Sequence, residues 1–214
     1  MLLAVLVSGT GSNLRAIVQA IDAGTCAAKV ALVVSDKDTA PALTFATERG
    51  IPTAVLKPKD YADRAAWDAA LAERVASVSP ELVVLAGFMR IVGASMLARF
   101  PHRIVNVHPA LLPSFPGTEG PAQAIQRGVR IAGCTVHLVD AGVDTGPILA
   151  QAAVPVLPTD DGPTLHARIQ VHEHRLLPAV IDAISRGEIT LGERPTFRTL
   201  ARFSADASLV VPST

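Results

Sequence analysis

The chain has 214 residues and a formal net charge of zero, from 19 basic and 19 acidic side chains, and 50% of its residues are hydrophobic. A chain of this length buries roughly 70% of the surface that it exposes when unfolded, so its core requires no disulfide or metal ion. The balanced charge disfavours a protein that binds nucleic acid through its phosphates, and two cysteines are too few for a disulfide framework or a zinc cluster. We expect a compact, soluble, single-domain protein.

The first apolar stretch, from Met1 to Ser8, is interrupted at once by Gly9. A membrane-spanning helix needs about 20 apolar residues, and a secretory signal needs a positive charge before its apolar run. The sequence therefore predicts neither a membrane partner nor export, and we expect a cytoplasmic location.

Short runs rich in Val, Ile and Leu alternate with amphipathic stretches, which is typical of βαβ units around a buried parallel sheet. Strands are predicted at residues 2–8, 29–35, 53–56, 82–85, 104–108, 133–139 and 148–154. Helices are predicted at residues 13–23, 40–49, 62–78, 94–99, 120–127 and 163–186. Asp161, Gly162 and Pro163 are suited to begin the last helix, and Gly187 to end it. Beyond Gly187, a small sheet extension and a loose tail both remain open.

This alternation predicts an α/β fold. We expect an open, mostly parallel twisted sheet of about seven strands, with helices on both faces. No repeat, low-complexity tract or linker divides the chain.

The first chemical motif is Gly11-Ser12-Asn13, which follows a strand and opens a helix. Glycine lets the backbone approach a ligand closely, and the free amides of a helix N-terminus bind phosphate. A dinucleotide site would place a further glycine where Leu14 stands, although Asp36 lies near the usual ribose-binding position. The motif favours a phosphomonoester, and a turn that binds nothing remains the alternative.

The second motif is Asn106-Val107-His108 at the end of a predicted strand. Alternation along the strand points Asn106 and His108 to the same side, at the edge where open α/β sheets bind ligands. We expect the proline-rich loop of residues 109–117 to keep that edge open. An amide beside an imidazole can hold and protonate a developing oxyanion, as acyl or formyl transfer requires.

The third motif is a loop with two carboxylates, Asp140 and Asp144, which ends at Gly146. A carboxylate beside an imidazole favours the charged imidazole, so Asp144 near His108 would form such a pair. Sequences of this kind also form simple turns, which is the alternative.

Together, the three motifs resemble the phosphoribosylglycinamide formyltransferases of purine synthesis, which use 10-formyltetrahydrofolate as cosubstrate. The resemblance covers about residues 1–190, with the motifs in order and at compatible spacing. It implies a formyltransferase fold with a Rossmann-like first half. It divides the domain into a nucleotide- and phosphate-binding half (residues 1–100) and a catalytic and folate-binding half (residues 101–190), followed by an extension at 191–214.

The resemblance also implies residue roles. Asn106, His108 and Asp144 would form the catalytic trio. The phosphate of glycinamide ribonucleotide would bind Gly11, Ser12 and Asn13, and its ribose would bind Glu173. The groups expected at the folate are Arg64 at its glutamate end, Met89, Arg90, Ile91 and Val92 at its pterin ring, and Asn106, Asp140 and Asp144. Thr135 and His137 would order His108, Asp144 or a water molecule.

One stretch departs from the family pattern. Residues 118–121, Thr118-Glu119-Gly120-Pro121, stand where the family usually has a histidine-containing sequence. This leaves the geometry of that loop open.

Two related families share the same chemistry. Methionyl-tRNA formyltransferases carry an added RNA-binding domain, and formyltetrahydrofolate hydrolases an added regulatory domain, and we expect neither within 214 residues. Two rivals of different classes are a nucleotide-binding oxidoreductase and a non-catalytic module that binds folate or phosphate. The expected partners are small molecules only, with the protein a monomer or a weak homodimer.

Metal binding is not expected. His166, His172 and His174 are close in sequence, but two helical positions two residues apart point about 200° from each other. Cys134 is a poor candidate nucleophile, because His137 lies on the opposite face of the same strand.

Overall fold

The computed structural model describes residues 1–198 and the backbone of residues 209–210. The chain divides into two compact units, Met1–Asn106 and Val107–Thr214. Among the described residues, no helix is long and apolar enough to cross a membrane.

The first unit is a parallel sheet with its helices. Its strands are β1 (Leu2–Val7), β2 (Lys29–Ser35), β3 (Thr53–Val55), β4 (Leu82–Leu85) and the first part of β5 (Ile104–His108). They are ordered β5-β4-β1-β2-β3, and each neighbouring pair is parallel. The central strand β1 is fully buried from Leu3 to Val7, as expected for a parallel sheet that is covered on both faces.

The helices of this unit are α1 (Ser12–Asp22), α2 (Pro41–Glu48), α3 (Arg64–Ala76) and α4 (Ala94–Arg99), with a 3₁₀ turn at Pro58–Asp60. Helix α3 begins two residues later than predicted because Asp63 is its N-cap and accepts a hydrogen bond from the Ala66 amide at 2.8 Å. The predicted bounds of α4 are confirmed without change.

The second unit is built around an antiparallel pair. Strand β6 (Ile131–Leu138) pairs with β7 (Ile148–Pro155), and α5 (Gly120–Gln126) and α6 (Gly162–Ser185) are its helices. The predicted cap of α6 is confirmed: the Asp161 carboxylate accepts from the Thr164 amide at 2.9 Å, and the Thr164 hydroxyl accepts from the Asp161 amide. Gly187 follows α6 with a φ of 69°, which a residue with a side chain rarely adopts.

Three short strands were not predicted. Strands β8 (Ile189–Thr190) and β9 (Thr196–Phe197) form a small antiparallel sheet, and β10 (Leu209–Val210) pairs with β7. Of the two expectations for the region after Gly187, a small sheet extension therefore describes residues 189–197. Residues 199–208 and 211–214, which belong to the predicted extension, lie outside the described residues.

Candidate active site

His108 is the last residue of β5, and Asn106 precedes it by two positions on the same strand. The strand alternates its side chains between two faces, so the two residues share one face. The His108 side chain is buried, at 4% exposure, and Asn106 is half-buried. By alternation, the amide and the imidazole lie on the same face at the end of one strand.

The Asp144 carboxylate lies between two imidazoles. One oxygen is 3.4 Å from Nδ1 of His108, and the other is 3.5 Å from Nε2 of His137. The Gly117 amide donates a hydrogen bond to the carboxylate at 2.8 Å. The second unit thus brings the predicted His108 and Asp144 pair together.

These contacts decide the charge of Asp144. Burial raises the pKa of this carboxyl, but the hydrogen bond with His137, the Gly117 amide and the charge of His108 together outweigh it, so the pKa lies below its ordinary value of 3.8. A carboxylate that is ionised at neutral pH stabilises a protonated neighbouring imidazole.

The loop after β5 covers the His108 ring. The Phe115 carbonyl oxygen is 2.8 Å from Nε2 of His108, so this part of the 109–117 loop lies against the imidazole. The ring has an acceptor on each side, Phe115 and Asp144. Contacts at both ring nitrogens fix the orientation of the imidazole.

Thr135 contacts the main chain that follows His108. Its hydroxyl accepts from the Leu112 amide at 3.0 Å and donates to the Ala110 carbonyl at 2.7 Å. It therefore holds the loop that follows His108. Gln151, which no sequence motif indicated, donates to the Leu112 carbonyl and to the Thr135 hydroxyl. Only the register of β6 against β7, which places Gln151 opposite Thr135, could have identified it.

The loop of residues 140–146 is folded around its own carboxylate. Asp140 accepts from the Gly142 amide at 3.0 Å and from the Thr145 hydroxyl at 2.7 Å, which is the turn that such sequences form. Asp144 has a φ of 55°, in the left-handed region that Asp tolerates better than most residues. A Cβ on Gly146 would lie 1.9 Å from the Leu138 carbonyl, so the loop returns closely to β6.

Gly11 is the N-cap of α1, with a φ of 75°. A Cβ there would lie 2.6 Å from the Cβ of Ala42, so both the backbone angle and the space require glycine. Since glycine offers no capping oxygen, the N-terminal amides of α1 at Ser12 and Asn13 suit an anion.

Asp36 argues against a dinucleotide site. This buried carboxylate follows β2, where such a site uses an acid for the ribose. It accepts a hydrogen bond from Nε of Arg90 at 2.8 Å. The acid is thus already paired with a side chain of the same unit.

The segment of residues 89–92, expected at the pterin ring, presents apolar side chains to solvent: Met89 is 70% exposed and Ile91 53%. Val92 is buried. Arg64, expected at the glutamate end, donates to the Ile91 carbonyl at 2.5 Å. The segment therefore offers an apolar surface beside its main chain, which suits a flat aromatic ring.

Glu173 on α6 is buried, at 3% exposure. Burial, together with the charge of Glu173, raises the pKa of the Cys134 thiol far above its usual range. Cys134 therefore stays protonated, which agrees with the expectation that it is no nucleophile. Glu119, in the stretch that departs from the family pattern, is an exposed N-cap of α5 with a φ of 61°.

Within the described part of the chain, no group of three or more His, Cys, Asp or Glu residues is arranged to hold a metal ion. Burial lowers the pKa of His174, which favours its neutral form.

The chain is similar to proteins of known function in both sequence and fold. The chain is 50% identical over 189 residues to a phosphoribosylglycinamide formyltransferase of Mycobacterium tuberculosis, an alignment that covers 88% of this chain and 87% of that protein. The crystal structure of glycinamide ribonucleotide transformylase 1 from Symbiobacterium toebii matches with a TM-score of 0.89 at 46% identity, over 92% of this chain and 93% of that one. This match confirms the predicted α/β fold with a mostly parallel sheet.

A formyltetrahydrofolate deformylase from Pseudomonas syringae also matches, with a TM-score of 0.84 over 92% of this chain and 65% of that one, but at 22% identity. That likeness concerns the fold alone. The model of the formyl transferase family matches residues 1–181, and the chain is therefore a member of that family.

Proposed function

We propose that this protein transfers the formyl group of 10-formyltetrahydrofolate to the amine of glycinamide ribonucleotide, in the synthesis of purines. The observation that carries this proposal is the buried His108 imidazole, held beside the Asp144 carboxylate at 3.4 Å, with Asn106 on the same strand face. Formyl transfer needs such a set, because an oxyanion develops on the formyl oxygen as the amine attacks.

We assign roles to the three residues from the chemistry of their side chains. The formyl group arrives on N10 of the folate, so the folate supplies the group that is transferred. Protonated His108 and the Asn106 amide donate hydrogen bonds to the developing oxyanion. Asp144 keeps His108 charged, because its own lowered pKa leaves it ionised at neutral pH. It also orders the water through which protons leave the attacking nitrogen and reach N10.

His108 has to exchange one partner for this reaction. Its Nε2 faces the Phe115 carbonyl, so the formyl oxygen takes the place of that carbonyl when the substrates bind, and the oxyanion then develops there. The Thr135 and Gln151 side chains hold the base of the same loop, so we place the movement beyond Leu112. His137, on the other side of Asp144, orients the carboxylate.

Binding roles are assigned to other groups. Gly11, Ser12 and Asn13 hold the phosphate through the amides of α1, and Glu173 binds the ribose hydroxyls. The pterin ring lies on residues 89–92 and on the 140–144 loop, at Asp140. Arg64 would leave the Ile91 carbonyl to meet the glutamate end of the folate. Residues 1–100 would then be the phosphate-binding half, residues 101–190 the catalytic and folate-binding half, and residues 191–214 an extension.

The reaction itself is the test. The protein is mixed with 10-formyltetrahydrofolate and glycinamide ribonucleotide, and the change in folate absorbance is followed. We expect rapid deformylation of the folate only when the ribonucleotide is present, with one formylated ribonucleotide formed for each folate consumed. Deformylation that is equally fast without the ribonucleotide would instead identify a hydrolase, the activity named for the Pseudomonas syringae protein of the same fold.

We further place the protein in the cytoplasm, as a monomer or weak homodimer that uses no metal ion. Activity that survives extensive dialysis against a chelator, and a mass near 22.3 kDa in dilute solution by light scattering, are the expected results.

A further inference from the structure

Asp68 is a buried carboxylate outside the set of residues assigned above. It lies on α3 and is 3% exposed. Its two oxygens accept hydrogen bonds from three backbone amides, those of Gly93 at 2.5 Å, Ser95 at 2.8 Å and Met96 at 3.3 Å. A carboxylate is costly to bury unless such donors compensate for lost water, so its three contacts define its role.

The three amides belong to the start of α4. Gly93 is the N-cap of that helix and has no side chain to satisfy the first amides, which normally need a capping oxygen. Asp68 supplies the oxygen from a neighbouring helix, and its negative charge also suits the positive end of α4. The end of the 89–92 segment is thereby fixed to α3.

The segment is fixed at two further points. The Ser8 hydroxyl accepts from the Met89 amide at 2.8 Å at its start, and Arg64 donates to the Ile91 carbonyl in its middle. Among the contacts of Ser8, Arg64 and Asp68 with this segment, only the Asp68 contact joins a buried carboxylate to three amide donors. If the folate replaces the contact of Arg64, Asp68 and Ser8 remain to hold the segment.

We propose that Asp68 is a positioning residue for folate binding: by capping α4 from outside, it sets where the main chain of residues 89–92 lies. This inference rests on the proposed function. It predicts that loss of the Asp68 cap weakens folate binding selectively, because a main-chain binding surface is useful only at the correct position.

Gly93 provides a second way to disturb the same contact. Its φ is −102°, which any residue adopts, so a side chain causes no backbone strain. A Cβ there would lie 2.6 to 2.9 Å from the carboxylate atoms of Asp68. Gly93→Ala should therefore push the carboxylate away from the amides and reproduce the effect of changing Asp68 itself.

The test compares Asp68→Asn and Gly93→Ala with a matched control, Asp63→Asn. Asn keeps the shape of Asp68, but its NH₂ group would face backbone amides that are themselves donors. The Asp63 side chain caps α3 by accepting from the Ala66 amide, so the control changes a cap on the same helix and leaves the Asp68 contacts with α4 in place. The readouts are KM for each substrate, kcat, the calorimetric Kd of tetrahydrofolate, the melting temperature, and amide hydrogen exchange at Gly93, Ser95 and Met96.

We expect Asp68→Asn and Gly93→Ala to raise the folate KM and the tetrahydrofolate Kd about tenfold. The ribonucleotide KM should stay within about twofold, and amide exchange should rise at the three capped positions. Asp63→Asn should do none of this. An unchanged folate KM in Asp68→Asn would overturn the inference. Equal rises in the folate KM and the ribonucleotide KM, in proportion to the loss in melting temperature, would overturn it as well, because they would indicate a general loss of structure.

The same experiment separates this inference from the proposed function. If the unsubstituted protein binds tetrahydrofolate but transfers no formyl group, only the proposed function fails. The Kd of tetrahydrofolate for the Asp68→Asn variant then still tests whether Asp68 positions the folate-binding segment. If the unsubstituted protein binds no tetrahydrofolate, both fail.

Discussion

Two segments that follow strands of the sheet are organised in opposite ways. The 89–92 segment, after β4, is held by side chains from elsewhere in its unit, among them Ser8 and Arg64, and points Met89 and Ile91 outward. The 140–146 loop, after β6, is held mainly by its own Asp140 and points Asp144 inward, between two histidines. The first arrangement suits binding, because apolar surface stays exposed. The second suits chemistry, because a carboxylate is kept charged in a largely buried place.

This difference predicts that changes around the 140–146 loop affect kcat, whereas changes in the 89–92 segment affect KM. The largest effect is expected at His108, whose Nδ1 faces the Asp144 carboxylate. His108→Ala removes both the oxyanion donor and the acid, so we expect kcat to fall about 10³-fold. Steady-state kinetics check this, with His166→Ala on the exposed face of α6 as the control. A loss of activity that appears mainly in KM would contradict the assignment.

The next largest effect is expected for Asp144→Asn. The amide can still accept from the Gly117 amide but cannot stabilise a charged His108, so kcat should fall about 10²-fold with little change in either KM. The same substitution four residues earlier, Asp140→Asn, tests the loop without touching the histidines. Equal losses of kcat in the two variants would mean that the loop acts as a single structural element, and would contradict a specific role for Asp144.

A smaller effect, confined to folate, is expected from the 89–92 segment. Replacing both Met89 and Ile91 with Ser removes exposed apolar surface, so we expect the folate KM to rise about tenfold while kcat changes little. Val171→Ser, at an apolar side chain of α6 that is 57% exposed, is the matched control. A fall in kcat with an unchanged folate KM would reverse the roles of the two segments.

Asp140→Ala should lower stability, in addition to any effect on the proposed contact with the pterin ring. It removes two hydrogen bonds at the surface, to Gly142 and Thr145, and we expect the free energy of unfolding to fall by about 1 kcal/mol. Urea unfolding measures this. An unchanged free energy would mean that the loop is not held by its own carboxylate.

The smallest expected effect is a pH dependence of the stability that Asp144 contributes. Because the pKa of Asp144 is lowered below 3.8 in the folded protein, its contribution to stability is present above that value and is lost as the pH falls through the folded pKa. The melting temperature of Asp144→Asn should therefore approach that of the unsubstituted protein as the pH falls below about 4. Parallel melting curves over this range would show that Asp144 is not stabilised in its charged form.

Local signals predicted most of the elements. The hydrophobic runs identified β2, β4 and β5 with their observed bounds, and the capping sequence at Asp161 located the start of α6. These signals are short in range, since apolar alternation and a capping oxygen act within a few residues. The strands β8 to β10 were missed because two residues are too few to form a pattern.

The candidate site divides in the same way. Asn106 and His108 lie on one strand, so their common face follows from alternation alone, and the chemistry of an imidazole made Asp144 its expected partner. Two other contacts could not be predicted in this way. The Phe115 carbonyl lies seven positions from His108, and Gln151 lies 39 positions from Leu112, to which it donates. Neither Phe115 nor Gln151 belongs to a motif.

The sequence by itself thus determined the α/β fold and the family, and it indicated the side chains to which we assign the chemistry, because periodicity and motifs are properties of neighbouring residues. Only the tertiary structure decided which buried groups hold the segments around the candidate site in place. The Asp68 carboxylate bonds to amides 25 to 28 positions away. Such a contact depends on how a helix packs against a loop, which no local pattern encodes.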